Sequence, residues 1–330
     1  MADLSLGLMV VVALALLFDF SNGWHDSANA IATVVSTRVL TPLNAVLLAG
    51  VLNVAGAFMS TAVAKMVGSG IVAPAAITQG VVASALAGAI IWNLITLVLG
   101  LPTSSSHALI GGLVGASLSH GGWATINVSG LRSVLQAMIV SPLFGFLIGM
   151  ILMVAITWAF FRTPRGLALR LFGRLQLVSA GFMAFSHGAN DAQKAMGIIT
   201  LALLSAGHLS KPEVPTWVIV LCALAMGLGT AAGGWKIVKT LGMRILKMDP
   251  VHGFAAETAA AAVLLATASI GLPVSTTHTI TSSVMGVGVV KRFSAVRWGV
   301  TARIVYAWIF TLPGAAILGA GIYGLLSLVS

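Results

Sequence analysis

Apolar residues run along this chain in blocks too long for strands and too continuous for the one-sided stripe of a soluble helix. In the first half the blocks fall at about 5–36, 43–64, 79–100, 104–119 and 133–161; in the second, at about 175–206, 217–235, 254–270, 276–290 and 304–328. Most approach or exceed the roughly 20 residues that span a bilayer core. The pattern predicts an all-α polytopic membrane protein with five crossings per half, counting the segments that flank each polar turn as a pair. The first block of each half is interrupted by a polar cluster, NGWHDSAN at 22–29 and HGANDAQK at 187–194. The third and fourth blocks are joined by an octapeptide that occurs twice, GLPTSSSH at 100–107 and GLPVSTTH at 271–278.

The two octapeptides are 171 residues apart, and the same offset carries Gly56, Lys65, Arg132 and Pro142 onto Gly227, Lys236, Arg303 and Pro313. Nearer the start the offset is 165, which superimposes the two polar clusters. The chain therefore reads as an internal duplication, residues 1–165 and 166–330. An odd number of crossings per half inserts the second half upside down, and the basic residues agree with that expectation. Loop 66–78 has no lysine or arginine, whereas its counterpart 236–253 has Lys236, Lys239, Arg244 and Lys247. The loop near 120–132 has Arg132 alone; its counterpart 291–303 has Lys291, Arg292, Arg297 and Arg303. With Arg38 and the four arginines of RTPRGLALRLFGR, 13 of the 17 basic residues fall on one side, as the positive-inside rule requires of the cytoplasmic face. Inverted-topology repeats of this kind characterise secondary transporters.

Composition sharpens the class. The chain is 58% hydrophobic and 7% charged, with a mean hydropathy of +1.06, against about 25% charged residues in soluble domains. Thirty-seven glycines suit close helix packing in lipid. The net charge of +10 is accounted for by the loops, so no nucleic-acid partner is expected. The lone Cys222 excludes an intrachain disulfide. The opening LSLGLMVVVALALLF, with ANA downstream, imitates a secretory signal, but its start carries Asp3 and no basic residue. It reads as a first membrane helix that stays.

Each octapeptide begins with Gly-Leu-Pro, which stops a helix, and continues with hydroxyls able to cap a new one. Free N–H groups at the start of that helix, with the positive end of its dipole, make an anion site that needs no lysine. Ser104, Ser105, Ser106, Ser275, Thr276 and Thr277 are thus candidate anion ligands on two broken or re-entrant helical hairpins at the centre. In the polar clusters, Asp26 and Asp191 are equivalent, and each has a polar residue three places on, Asn29 and Lys194, on the same helix face. Carboxylates buried in lipid usually mark ion or proton pathways. Gly23 and Gly188 are expected to loosen these helices and free carbonyls for a cation. His25 and Asn190 precede the aspartates and belong to the same candidate site; Asn22, His107, His278 and Glu257 are secondary candidates, and Asp19 is open to either a structural or a relay role. No cofactor and no structural metal site is indicated.

Together these residues resemble the inorganic phosphate transporter (PiT) family, in its bacterial low-affinity permease branch. Its paired motifs are a G-x-N-D-x-x-N-like element and G-[LM]-P-x-S-[ST]-[ST]-H, and the resemblance covers essentially the whole chain. It implies a multi-pass protein of the cell membrane, a symporter rather than an enzyme, with phosphate between the two hydroxyl tips and a coupling cation at Asp26, Asn29, Asn190 and Asp191. One departure matters: the first cluster reads His25-Asp26-x-x-Asn29 and the second Asn190-Asp191-x-x-Lys194. An ammonium at Lys194 would occupy or repel a sodium site, a pattern similar to proton-coupled members, which also carry phosphate as a neutral complex with a divalent metal. The expected partners are phosphate, protons (or sodium) and lipid, and a homodimer is compatible. Sulfate and sodium coupling are the nearest alternatives. A serine hydrolase is disfavoured because Ser106 and His107 are adjacent, and i,i+1 side chains do not face each other. There is also no G-x-S-x-G elbow.

Overall fold

The structure, a computed structural model, describes residues 5–69, 71–72 and 77–328. The described residues form twelve α-helices and no strand: α1 Leu6–Ser36, α2 Pro42–Ala57, α3 Ala62–Ser69, α4 Gln79–Leu99, α5 Ser105–Gly121, α6 Val128–Ala159, α7 Arg165–Ser205, α8 Thr216–Ala232, α9 Trp235–Lys239, α10 Pro250–Ser269, α11 Thr276–Lys291 and α12 Trp298–Ser327. A π-helical turn, Thr240–Arg244, follows α9. The all-α class read from the sequence is the one observed. Part of the charge-poor loop 66–78, residues 70 and 73–76, lies outside the described residues.

Six helices (α1, α4, α6, α7, α10 and α12) are long and apolar enough to cross a membrane, and α8 with the segment to Arg244 makes a seventh span bent by 60°. Ten separate full-length crossings are therefore not what the described residues provide. The reason is length: α2, α5 and α11 have 16, 17 and 16 residues, short of the roughly 20 a bilayer core needs. The outward faces of α6 and α12 carry large exposed apolar side chains, among them Ile139, Leu143, Ile151, Ile309, Phe310 and Ile317, as lipid-facing surfaces do.

The two hairpin turns form in the same way. Helix α4 ends at Gly100, whose φ of +67° suits glycine. There Gly100 N–H donates to the Leu97 carbonyl and Leu101 N–H to that of Thr96. Three residues on, Ser104 caps α5 by accepting from the His107 N–H at 3.2 Å. The second copy repeats each step, with Gly271 at φ +74°, Leu272 N–H bonded to the Thr267 carbonyl and Ser275 accepting from His278 N–H at 3.2 Å. The tips touch, Ser106 Oγ donating to the Val274 carbonyl at 3.1 Å.

The contacts between elements are exchanged across the halves. Helix α1 packs on α8 and α7 on α2; α5 packs on α12 and α11 on α6.

Two expectations about the long helices are corrected. Both α1 and α7 run without a break through their polar clusters. Gly23 and Gly188 do not loosen them; they admit a neighbouring helix. A Cβ on Gly23 would stand 3.0 Å from the Thr230 nitrogen, and one on Gly188 would stand 2.6 Å from Asn53 Cα. Close backbone approach is the use small residues have in membrane helix packing. The basic segment between the halves is also not a loop, because α7 begins at Arg165, directly after Pro164, a residue suited to a helix start.

Candidate functional site

Four helix segments meet in the interior: the middles of α1 and α7, and the N-termini of α5 and α11. The polar faces of α1 and α7 are buried throughout, with Asn22, His25, Asp26 and Asn29 on the first and His187, Asn190, Asp191 and Lys194 on the second each at 2% exposure or less. The hydroxyl triplets are buried to the same degree.

Not all six hydroxyls play one part. Ser104 and Ser275 hold the helix starts, as described above. Ser105 Oγ lies 2.5 Å from Asn22 Oδ1 and 2.9 Å from Asp26 Oδ2, so its single proton is shared between two acceptors. Thr276 donates to Asp191 Oδ1 at 2.6 Å. Thr277 donates to Asp26 Oδ1 at 3.3 Å and accepts from Asn29 Nδ2 at 2.9 Å. Ser106, spent on the opposite tip, is the member without an aspartate. Each aspartate therefore fills the hydroxyl-lined start of a short helix, where backbone N–H groups lack intrahelical partners and the helix dipole favours negative charge.

The surroundings of the two aspartates differ. His25 Nδ1 lies 2.8 Å from Asp26 Oδ1. Its Nε2 is 3.1 Å from Thr96 Oγ1 and 3.3 Å from Thr103 Oγ1. Asp191 instead has the Lys194 ammonium 2.8 Å from Oδ2, and His187 Nε2 3.6 Å from the same oxygen. The His187 ring is oriented by its far side: Asn53 donates its amide to the Ala49 carbonyl at 2.8 Å, which turns Oδ1 toward His187 Nδ1 at 2.7 Å. With Nδ1–H so engaged, Nε2 presents a lone pair to a carboxylate oxygen. Asp191 Oδ2 thus faces both the Lys194 ammonium and the His187 ring. Ligand atoms of Asp26, His187 and Asp191 all lie within 4.8 Å of one another, close enough for a single metal ion. Asn190, expected beside them, is present and fully buried, with both amide atoms unpartnered.

The secondary candidates fall elsewhere. Asn22 is in the site through Ser105. His107 and His278 sit behind the tips with ring centroids 4.6 Å apart, and His278 stacks on Trp308 at 3.9 Å. Glu257, on α10, meets α1 at Thr33, about 10 Å or two turns along that helix from Asp26. It receives hydrogen bonds from Thr33, Ser179 and, at 3.2 Å, Gln176. His187, Asn53, Thr96 and Thr103 were not singled out from the sequence. His187 was within reach: it is aligned with Asn22 when the two polar clusters are superimposed residue by residue. The other three sit at ordinary polar positions of apolar helices, and only their partners reveal them.

Two hydroxyl tips facing two carboxylates inside a lipid-facing helical shell define a membrane transport protein. The chain belongs to the phosphate transporter family, which it matches over residues 22–170 and 163–319. It is a transporter and not an enzyme, a multi-pass protein of the cell membrane. It is 48% identical over 332 residues to a probable low-affinity inorganic phosphate transporter of Rhizobium meliloti (strain 1021), covering 100% of this chain and 99% of that one. A protein of the same description from Bacillus subtilis (strain 168) is 46% identical over 324 residues, 97% of each chain. Among solved structures, one titled "The sodium-dependent phosphate transporter" matches with a TM-score of 0.91 at 26% identity, over 98% of this chain and 100% of that one.

Proposed function

We propose that this protein imports inorganic phosphate together with protons, by alternating access between two inverted repeats, residues 1–165 and 166–330. The observation that carries this reading is the occupation of the tip hydroxyls by the protein's own carboxylates. Ser105 and Thr276 each donate to an aspartate, at 2.9 and 2.6 Å. An incoming phosphate needs those donors, and it carries the same sign of charge as the groups that hold them. Phosphate therefore enters only when Asp26 and Asp191 are neutralised, which couples anion binding to cation binding.

Lys194 favours the proton over sodium as that cation. Its ammonium already stands 2.8 Å from Asp191, where a sodium-binding protein needs a neutral oxygen ligand. Phosphate is favoured over sulfate because its acidic forms donate a hydrogen bond, and the buried aspartates accept one. The exchange of helix contacts between the halves supports the paired-repeat reading. A second reading rests on the Asp26–His187–Asp191 cluster: two carboxylates and an imidazole suit a divalent metal, so phosphate could enter as its neutral metal complex.

Uptake of radiolabelled phosphate into proteoliposomes under separately imposed gradients tests this. A pH gradient alone should drive accumulation, a protonophore should abolish it, and excess sulfate should not compete. Accumulation under a sodium gradient alone would overturn the coupling assignment. Divalent metal entering with phosphate in fixed proportion would select the second reading.

A further inference from the structure

Asp19 lies on α1 with 0% exposure, and nothing above uses it. Neither of its oxygens accepts a hydrogen bond of good geometry; the Asn22 amide and the Cys222 thiol are the polar groups that face it. Its position relative to the site is set by helix geometry. Asp19, Asn22, Asp26, Asn29 and Thr33 follow one another at steps of three or four residues, so they form one polar stripe. The stripe runs about 21 Å, from Asp19 past the phosphate-facing residues to the hydroxyl that bonds Glu257.

The duplication says more. Superimposing FDFSNGWHDSAN (18–29) on MAFSHGANDAQK (183–194) puts Asp19 against Ala184 and Asn29 against Lys194. One extra acid in the first half and one extra base in the second are the unduplicated charges of the two clusters, and they act on each other electrostatically across the interior. A residue that binds substrate between two repeats has reason to be duplicated. A residue that keeps the charge balance need occur only once.

Three carboxyls, Asp19, Asp26 and Asp191, thus share this interior with one ammonium, and their surroundings divide the charge among them. Asp26 has Ser105, Thr277 and His25; Asp191 has Thr276 and Lys194. Both have hydrogen-bond and ion partners that compensate a charge. Asp19 accepts no hydrogen bond of good geometry, and an ionised carboxylate so placed in a low-dielectric interior is very costly unless neutralised. Of the elements packed on this part of α1, α7 supplies Asp191 and Lys194 and α8 supplies the Cys222 thiol, while α2 and α4 carry no ionisable side chain.

We infer that Asp19 is a proton-binding site of the transport cycle, separate from the phosphate site and coupled to it through Lys194. With Lys194 paired to Asp191, Asp19 holds its proton. After phosphate has left on the inner side, the long lysine stem lets the ammonium turn from Asp191 toward Asp19, which then releases its proton to the same side. No bond other than O–H breaks or forms, and the proton passes to water. The inference rests on the proton-coupled reading above.

The test compares proton-to-phosphate stoichiometry in proteoliposomes, read from the pH gradient that just balances a set phosphate gradient. Asp19→Asn should couple one proton fewer per phosphate than the wild type, and Asp19→Glu should restore the ratio. An unchanged ratio in Asp19→Asn, in vesicles where the wild type is proton-driven, overturns the assignment and leaves proton coupling standing. A wild type indifferent to the pH gradient instead removes the coupling reading itself. Should Asp19→Asn not fold, infrared spectroscopy decides with the other two proteins. Phosphate-free wild type should show the carbonyl band of a protonated acid that shifts in Asp19→Glu; no such band, or one that does not shift, overturns the assignment.

Discussion

Asp26 and Asp191 occupy equivalent points on α1 and α7, and each meets the N-terminus of a short helix through a hydroxyl. Around these matching points the chemistry diverges. Asp26 is partnered by an imidazole and lies beside the neutral amide of Asn29; Asp191 is partnered by an ammonium at 2.8 Å. Where the halves agree, they build features needed twice: the glycine stop, the capping serine, the donor at each tip. Where they differ, they set the charge of the interior. On the proposed reading, the comparison separates recognition, carried by the positions the two halves share, from coupling, carried by the positions where they differ.

The all-or-none test of that frame is topological. In a Cys222→Ser background, Trp123→Cys and Ser294→Cys occupy equivalent exposed positions after α5 and α11. They should label from opposite faces of the membrane with an impermeant thiol reagent. Labelling from one face would end the inverted-repeat reading.

The next largest effect is expected at Lys194. Lys194→Asn makes the second cluster match Asn29 of the first, and it strips Asp191 of its ion partner; breaking a buried pair costs about 3–5 kcal/mol. Proton-driven uptake should be lost while the protein still elutes as a single species in detergent. Adding His25→Asn should bring in sodium dependence. Normal proton-driven uptake by Lys194→Asn would show that the asymmetry has no part in coupling.

Smaller effects should follow from the matched parts. Ser105→Ala and Thr276→Ala each remove a donor from a dehydrated site, a loss of about 1–3 kcal/mol, or roughly 5- to 150-fold in apparent phosphate affinity. The two variants should fall in the same range when uptake constants are measured; unchanged constants in both would make the tips structural. The smallest change belongs to the caps. Ser104→Ala and Ser275→Ala should each cost about 1 kcal/mol of stability, seen as similar losses of apparent Tm in detergent, because both serines make the same 3.2 Å bond.

Much of this was legible in the sequence because it follows from local rules. Apolar block length found most of the helices, although block 43–64 divides into α2 and α3 and α7 begins at Arg165, well before its block; Gly-Leu-Pro gave the hairpin turns, and the repeated spacing paired Asp26 with Asp191 and Ser105 with Thr276. The interruption expected in α1 and α7 failed for a reason no local rule contains. A glycine next to polar residues looks like a weak point in a helix, and only the neighbour at Thr230 or Asn53 reveals it as a contact. The same limit hid His187: its type and place were visible, but its tautomer depends on Asn53, 134 residues away.

The sequence by itself determined the membrane class, the repeated motifs, the polar residues available to an anion and the charge that sets Lys194 apart. Those are properties of composition, period and spacing, which survive without coordinates. The tertiary structure decided which acceptor each hydroxyl serves, which serine caps and which faces the site, that Glu257 belongs to Thr33, Ser179 and Gln176, and that Asp19 accepts no hydrogen bond of good geometry. Those depend on distances between segments far apart in the chain, and in a low-dielectric interior such distances decide whether a buried polar group is satisfied.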